Sequence, residues 1–405
     1  MPLLQDSSQK ESPQRAGRRN SSSVRVLLIS HTCRSRSMGQ PKARNVARWP
    51  GVELRVLVPA RWRNDDGSWK EADQPIDDSF QFQVGRVRWP YVGPFKRYLH
   101  HYPDLRRTLA EFQPDVIDIW EEPWGMVSAQ VCRLRQKMLP WAKIISETEQ
   151  NINKKLPPPF GKFREYTLSR ADFVVARSSE ALDVIRQNGY SGAAQVVPNA
   201  VDAELFKPMN RNDCRAKAGV SGFVVGYVGR MVEEKGLDEL IDALPLCPPQ
   251  VNVLMVGFGD YRAALEAKVR AMALESRVKF LPARPLDQLP ELFNALDVMA
   301  LPSRTTKSWK EQFGRVIIEA HACAIPVIGA TSGAIPEVIG FGGLTFPERD
   351  PKAIARIICE LAGNPAKCAE MGENGRRQVM DRYTWQSVAE RMFDIYRRLV
   401  PLPND

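Results

Sequence analysis

The chain has 405 residues, 57 Lys and Arg against 47 Asp and Glu, and 43% apolar content, enough for two globular domains with separate cores. No apolar run approaches the length a bilayer-spanning helix needs. Seven cysteines form no C-x-x-C pair and do not cluster with histidine, which argues against a disulfide frame or zinc site and for free thiols in a reducing, cytoplasmic setting.

In chain order, residues 1–22 are rich in Ser, Gln and Arg and carry too little apolar surface to order themselves, so a disordered basic tail is expected. From residue 23 short apolar runs alternate with helical patterns. Strands are expected at 24–30, 52–59, 84–89, 116–120, 143–147 and 173–177, with helices at 105–112, 125–137 and 180–188 between some of them. A connector at 199–208 closes this first domain, 23–198. The alternation then restarts over 209–384, with strands at 224–228, 252–256, 278–281, 298–301 and 326–328. Helices are expected at 236–244, 261–274, 290–294 and 315–324. A last helix near 385–399, in a closing segment 385–405, puts Val388, Met392, Ile395 and Tyr396 on one face. Strands alternating with helices imply two doubly wound parallel sheets, with ligands in a cleft at the carboxyl ends of the strands.

The chemistry concentrates in the second half. Gly226-Tyr-Val-Gly-Arg230 ends a strand and is followed by Lys235, so two cations stand near a glycine turn that includes Gly229. Such a pair suits a departing diphosphate. Further on, Glu311-Gln-Phe-Gly-Arg-Val-Ile-Ile-Glu319 sets two carboxylates eight residues apart. On one helix that separation is about 12 Å and more than two turns, so they cannot share a proton as a dyad. Glu311 is better read in a loop, with a helix starting near Gly314. The amides of Phe313, Gly314, Arg315 and Val316 then form an anion-binding helix start, and Glu319 can accept from vicinal hydroxyls.

This segment resembles the E-x7-E signature of the retaining family 4 glycosyltransferases of GT-B fold. Gly229-Arg230 with Lys235-Gly236 resembles the family's diphosphate loop. Val196-Val-Pro-Asn-Ala-Val-Asp202 with Leu205-Phe-Lys-Pro208 is similar to its interdomain connector, and Ser332-Gly-Ala-Ile-Pro-Glu337 and Tyr383-Thr-Trp385 also fit. The resemblance spans roughly residues 24–400 and is looser in the first half. It implies α/β, GT-B architecture and transfer of a sugar, with retention, from a nucleoside diphosphate sugar to a hydroxyl of a glycan or glycolipid in surface polysaccharide or glycolipid synthesis. Neither cofactor nor metal is implied. Arg230 and Lys235 take the diphosphate, Glu319 the ribose and Glu311 the donor sugar, while Arg284 falls where the family holds the base. The closing segment is expected to return to the first domain.

The first domain departs from the family pattern. Its first loop, His31-Thr-Cys-Arg-Ser-Arg-Ser-Met-Gly39, has a single glycine, and Glu147-Thr-Glu-Gln-Asn151 stands where the family has an acceptor-side histidine. Glu149 and Gln150 are therefore acceptor-side candidates, as are Glu121, Glu122 and Trp124 after the strand at 116–120. Carboxylates and an indole at a strand end can hold a sugar, or form an ordinary polar loop around a packing Trp. Acceptor type and general base stay open. The first 200 residues carry 31 Lys and Arg against 21 Asp and Glu, and the remainder is balanced. That excess reads either as peripheral contact with anionic membrane at the inner face or as a solvated surface. No motif supports a nucleic-acid partner. A nucleotide-sugar epimerase or a non-catalytic nucleotide-sugar-binding protein of the same fold is the alternative.

Overall fold

A computed structural model describes residues 23–63, 67–89 and 98–401. The expected tail at 1–22 lies outside the described residues. In chain order the strands are β1 Val24–Ile29, β2 Val52–Pro59, β3 Arg61–Arg63, β4 Trp69–Glu71, β5 Gln81–Gly85, β6 Val116–Ile119, β7 Lys143–Thr148, β8 Phe173–Ala176 and β9 Ala193–Val196. After the connector come β10 Phe223–Val228, β11 Val251–Val256, β12 Val278–Leu281, β13 Val298–Leu301, β14 Val327–Ala330 and β15 Gly343–Phe346. They form a seven-stranded sheet in the order β5-β2-β1-β6-β7-β8-β9 and a six-stranded sheet in the order β12-β11-β10-β13-β14-β15. Every pairing in both is parallel, while β3 and β4 make a small antiparallel ribbon. The protein is α/β, with two Rossmann-like domains.

Parallel strands are covered on both faces, so the central ones read as continuous apolar runs. On one face of the first sheet Leu27, Ile29, Leu57, Ile117 and Ile144 pack against the helices Leu105–Phe112 and Met126–Met138. On the other, Val26, Leu28, Val56 and Ile145 meet Ala43 and Val46 of the helix Gln40–Ala47. The second sheet has one core of its own.

The helix Trp385–Leu399 does not stay with the second sheet. Its N-cap Thr384 accepts from the Ser387 amide, and Val388, Ala389, Met392, Ile395 and Tyr396 are buried in the first domain's core. Each large apolar side chain so buried stabilises by roughly 1.5–3 kcal/mol. The chain thus crosses between domains twice, and the crossings touch where the Val201 amide donates to the Tyr383 carbonyl at 2.8 Å.

Sequence reading and structure differ at the edges. The third strand of the first sheet is Gln81–Gly85, paired from Arg55↔Gln81 to Pro59↔Gly85, whereas β-forming residues had suggested 84–89. Gly85 ends it by packing against Tyr102 and Leu57, where a Cβ would come within 3 Å of both. The strands β9 and β15 went unforeseen. Both are partly exposed edges rich in small residues, with no apolar run to announce them.

Inside the first sheet Tyr396 donates its phenol to Asp118 Oδ2 at 2.7 Å, fully buried on β6. Burial, then the neighbouring Glu147, pushes the Asp118 carboxyl up to about 8, against the pull of Lys42. This bond joins the last helix to the sheet that holds the first domain's polar cavity. Tyr396→Phe is expected to lower stability by about 1–3 kcal/mol, since it strips a partner from a buried carboxyl. Urea unfolding with an unchanged slope is the measurement.

Candidate active site

Each sheet has one point where successive crossovers leave in opposite directions. In the first it lies between β1 and β6, and in the second between β10 and β13. The helices diverge there and open a crevice at the strands' carboxyl ends. Nearly all the polar residues singled out above are drawn to these two crevices.

In the second domain the Gly226↔Met299 register, carried onward, sets Arg230 opposite Ser303. A short turn at Glu233–Lys235 follows. Gly236 then lies so close to the Pro302 carbonyl that a Cβ would sit 2.1 Å from it. That approach delivers Lys235, whose Nζ donates to Glu311 Oε2 at 2.5 Å. Ser303 Oγ donates to the same oxygen at 3.1 Å, and Lys235 lies 4.9 Å from the centre of the Trp309 ring. Arg304 is structural: its guanidinium grips Glu239 with two bonds of 2.7 Å, and its amide donates to the Glu234 carbonyl at 2.7 Å. It fastens the Lys235 turn to the segment that carries Glu311. Gly257 and Gly259 allow the loop after β11 to lie backbone-on-backbone against Gly229 and Met231.

The helix Arg315–Ala322 starts where expected. Gly314 is its N-cap, in the left-handed region with φ 79, and no side chain caps it. The amides of the first turn are therefore open to an anion. Phe313 is buried edge-on to Tyr383 with ring centres 5.9 Å apart, which leaves only its backbone for a ligand. Glu319 is buried, and burial raises its carboxyl despite the opposing charge of Arg315. Such a carboxylate gains from hydroxyl donors a ligand would bring. Arg230 is exposed. Arg284 is exposed too and follows β12, an edge strand separated from β10 by β11. It does not join the Lys235–Glu311 group. His321 is buried with Nε2 3.1 Å from the Gly342 carbonyl oxygen, and burial lowers it to about 4.

In the first domain Ile29 pairs with Ile119, and two residues further along each strand His31 meets Glu121. The His31 amide donates to Glu121 Oε1 at 2.6 Å, and Nδ1 lies 2.8 Å from both carboxylate oxygens. Burial would raise Glu121, but His31's charge and hydrogen bonds, with His100, hold it below the usual carboxylate range. A carboxylate there makes Nδ1 the donor and turns Nε2 outward as an acceptor. Glu122 accepts from the Thr148 hydroxyl at 2.6 Å and the Glu149 amide at 2.9 Å, and burial pushes it up to about 8. These groups line a cavity of about 220 Å³ with Trp62, Trp120, Trp124, Glu149, Gln150 and, from the other domain, Gln312. All five acceptor-side candidates come together here. Glu121 and Glu122, however, already hold His31 and the 148–149 turn.

Sequence reasoning missed His31. Its only signal was its position two residues past the first strand, level with the loop after β6. Beneath the cavity floor Glu147 takes Lys42 and Arg177, and both cations stack on Trp120, at 4.4 and 4.9 Å. Across the cleft the Asn151 amide donates to the Glu311 carbonyl at 2.8 Å, Lys310 pairs with Glu180 at 2.8 Å, and the Ser179 amide donates to Glu337 at 3.0 Å. Among the described residues no cluster of three or more His, Cys, Asp or Glu could hold a metal ion, and no helix is long and apolar enough to cross a membrane.

Two facing α/β domains with a carboxylate–lysine pair beside an open helix start define the GT-B class. The sequence comparisons agree: the profile of the glycosyl transferases group 1 matches residues 210–378, and that of Glycosyltransferase Family 4 matches residues 43–205. The chain belongs to the family 4 glycosyltransferases. It is 32% identical over 210 residues to a GDP-mannose-dependent monoacylated alpha-(1-6)-phosphatidylinositol monomannoside mannosyltransferase of Corynebacterium glutamicum, covering 49% of this chain and 55% of that protein. It is 29% identical over 259 residues to a D-inositol 3-phosphate glycosyltransferase of Xylanimonas cellulosilytica, covering 60% of this chain and 61% of that one. The chain thus spans little more than half the length of these curated relatives. Among solved structures, Alr3699/HepE of Anabaena in complex with UDP superposes with a TM-score of 0.71 at 20% identity, over 93% of this chain and 100% of that one, a likeness of fold.

The Glu122 carboxyl has a folded value above its unfolded one, so the fold favours its neutral form. Its contribution to stability is full below pH about 4.5 and is lost as pH rises through about 8. Glu122→Gln, which stays neutral, should therefore gain on the native protein by roughly 1–3 kcal/mol between pH 5 and 9. Parallel urea titrations across that range would show the two stability curves diverging. Curves that stay parallel would contradict a neutral Glu122.

Proposed function

We propose that this chain is a retaining hexosyltransferase that moves a sugar from a nucleoside diphosphate donor to a hydroxyl of a glycan or glycolipid. The observation that carries the reading is the Lys235–Glu311 contact, seated beside an uncapped helix start with Glu319 within the same helix. A diphosphate at the amides of Phe313 to Val316 would draw Lys235 away from Glu311 and onto a phosphate oxygen. Arg230 and Lys235 then offset the charge that develops as the nucleoside diphosphate departs. Glu311, released, faces the donor sugar, where it orients hydroxyls or supports positive charge at the anomeric carbon. Glu319 receives the two ribose hydroxyls, which return hydrogen bonds to a carboxylate that burial disfavours. No organic cofactor enters, and the bound cations are the protein's own.

The acceptor hydroxyl is presented from the 220 Å³ cavity of the first domain. The names of both relatives contain inositol, and that of the Corynebacterium protein contains GDP-mannose, which makes GDP-mannose the first donor to test and a glycolipid a reasonable acceptor. The basic first half supports a peripheral contact with anionic lipid at the cytoplasmic face. Transfer rather than donor epimerisation is favoured by the cavity, since an epimerase needs no acceptor chamber.

Two outcomes are expected. In a thermal-shift series of UDP-, GDP-, ADP- and TDP-sugars, one base class stabilises the native protein and the shift is lost in Glu319→Ala. Lys235→Ala lowers kcat by about 100-fold or more, the scale of removing one charge-stabilising donor. Equal shifts in both proteins, or an unchanged kcat, would contradict the assignment.

A further inference from the structure

We infer that Asn151 is a positioning residue for Glu311: through this amide the first domain sets the backbone from which the donor-sugar carboxylate projects. The inference rests on the donor-site reading above and deepens it, because the placement of Glu311 becomes a property of both domains together.

Glu311 is held at both of its ends. Its carboxylate takes Lys235 and Ser303, which belong to the second domain. Its carbonyl takes one donor from each domain, the Ala334 amide at 3.1 Å and, across the cleft, Asn151 Nδ2 at 2.8 Å. The fit around that carbonyl is close. At Gly333, with φ 56, a Cβ would sit 2.0 Å from the carbonyl oxygen and 3.1 Å from Asn151 Nδ2. A side chain there would force the two domains' residues apart.

Asn151 is itself fixed. It is buried and lies three residues past β7. Its Nδ2 also donates to Glu180 Oε2 at 3.1 Å, so one end of the amide faces both a carbonyl and a carboxylate. The flipped amide would set oxygen against oxygen twice. Glu180 stands in the first turn of the helix Ser179–Gln187, and its other oxygen takes Lys310, the residue before Glu311, at 2.8 Å. The start of the same helix adds a tie from the Ser179 amide to Glu337 at 3.0 Å, on the short helix Ile335–Ile339 that follows Ala334. The loops after β7 and β8 thus grip the two segments of the second domain that meet at the Glu311 carbonyl.

This grip matters once a ligand is bound. A diphosphate that draws Lys235 away removes a partner of the Glu311 carboxylate, and the backbone then decides where the side chain points. Without Asn151 the carbonyl keeps only its second-domain donor, and the carboxylate spreads over positions that do not meet the sugar. The defect is selective. The diphosphate and ribose, held by the amides of Phe313 to Val316 and by Glu319, are untouched, and the sugar alone is held less well.

The test is calorimetry on the full-length protein with GDP and GDP-mannose, or with the diphosphate and sugar of whichever base class binds. Asn151→Ala should keep diphosphate affinity within about threefold and weaken the nucleotide sugar by about fivefold or more, the scale of one hydrogen bond. Asn151→Asp keeps the shape without the donor and should do at least as much damage. In the Glu311→Ala background Asn151→Ala should cost nothing further, because it acts through that carboxylate. Four results overturn the inference: an Ala or Asp variant that binds the sugar as the native protein does, affinities for diphosphate and sugar that fall together, effects of Asn151→Ala and Glu311→Ala that multiply, or a native protein that takes the diphosphate but not the sugar. A native protein that binds no diphosphate would instead sink the donor-site reading, and the role of Asn151 with it.

Discussion

Parallel sheets whose strand order reverses once confine the chemistry of this molecule. At β1/β6 and at β10/β13 the flanking helices part, and the strand ends bring two loops together with no helix between them. Residues far apart in sequence become neighbours there because register, not proximity in the chain, decides who meets whom. His31 meets Glu121 because Ile29 pairs with Ile119, and Lys235 reaches Glu311 because Gly236 lies on the carbonyl of Pro302. Remove the reversal and each loop would be covered by the next helix.

The two crevices treat charge in opposite ways. In the crevice of the second domain Arg230 is exposed, the Lys235 ammonium rests on Glu311 and near Trp309, and an uncapped helix start adds its own partial positive charge. That surface is prepared for anions. In the crevice of the first domain the buried cations Lys42 and Arg177 are committed to Glu147 and Trp120, and carboxyl groups dominate the rest of the cavity lining. A charged nucleotide and an uncharged acceptor would each be attracted to one wall and rejected by the other. The last helix matters to this division, since Tyr396 reaches Asp118 at the base of the same network.

Much of this was legible in the sequence, for identifiable reasons. Central strands such as β2 and β13 and the helices Leu105–Phe112 and Trp385–Leu399 were read to the residue because burial on both faces, or on one stripe, imposes a strong apolar pattern. The helix start at Gly314 followed from the impossibility of seating both glutamates on one helix. The edge strands β9 and β15 escaped because half-exposed, small-residue segments carry no such pattern. The first-domain site was legible only as a set of candidates. Hydrogen bonds to Glu121 and Glu122 come from residues 26 to 90 positions distant, a relation that local spacing does not encode, and His31 has no motif around it. Arg284 fell where the family holds the base, and it stands exposed just past the edge strand β12.

The central claim is that the Lys235–Glu311 contact is the resting form of a nucleoside diphosphate sugar site. A crystal structure with GDP bound, or with whichever nucleoside diphosphate binds tightest, tests it most directly. The account predicts phosphate oxygens at the amides of Phe313 to Val316, Lys235 Nζ moved from Glu311 to a phosphate, and both ribose hydroxyls on Glu319. A nucleotide bound elsewhere, or one that leaves Lys235 on Glu311, would contradict it.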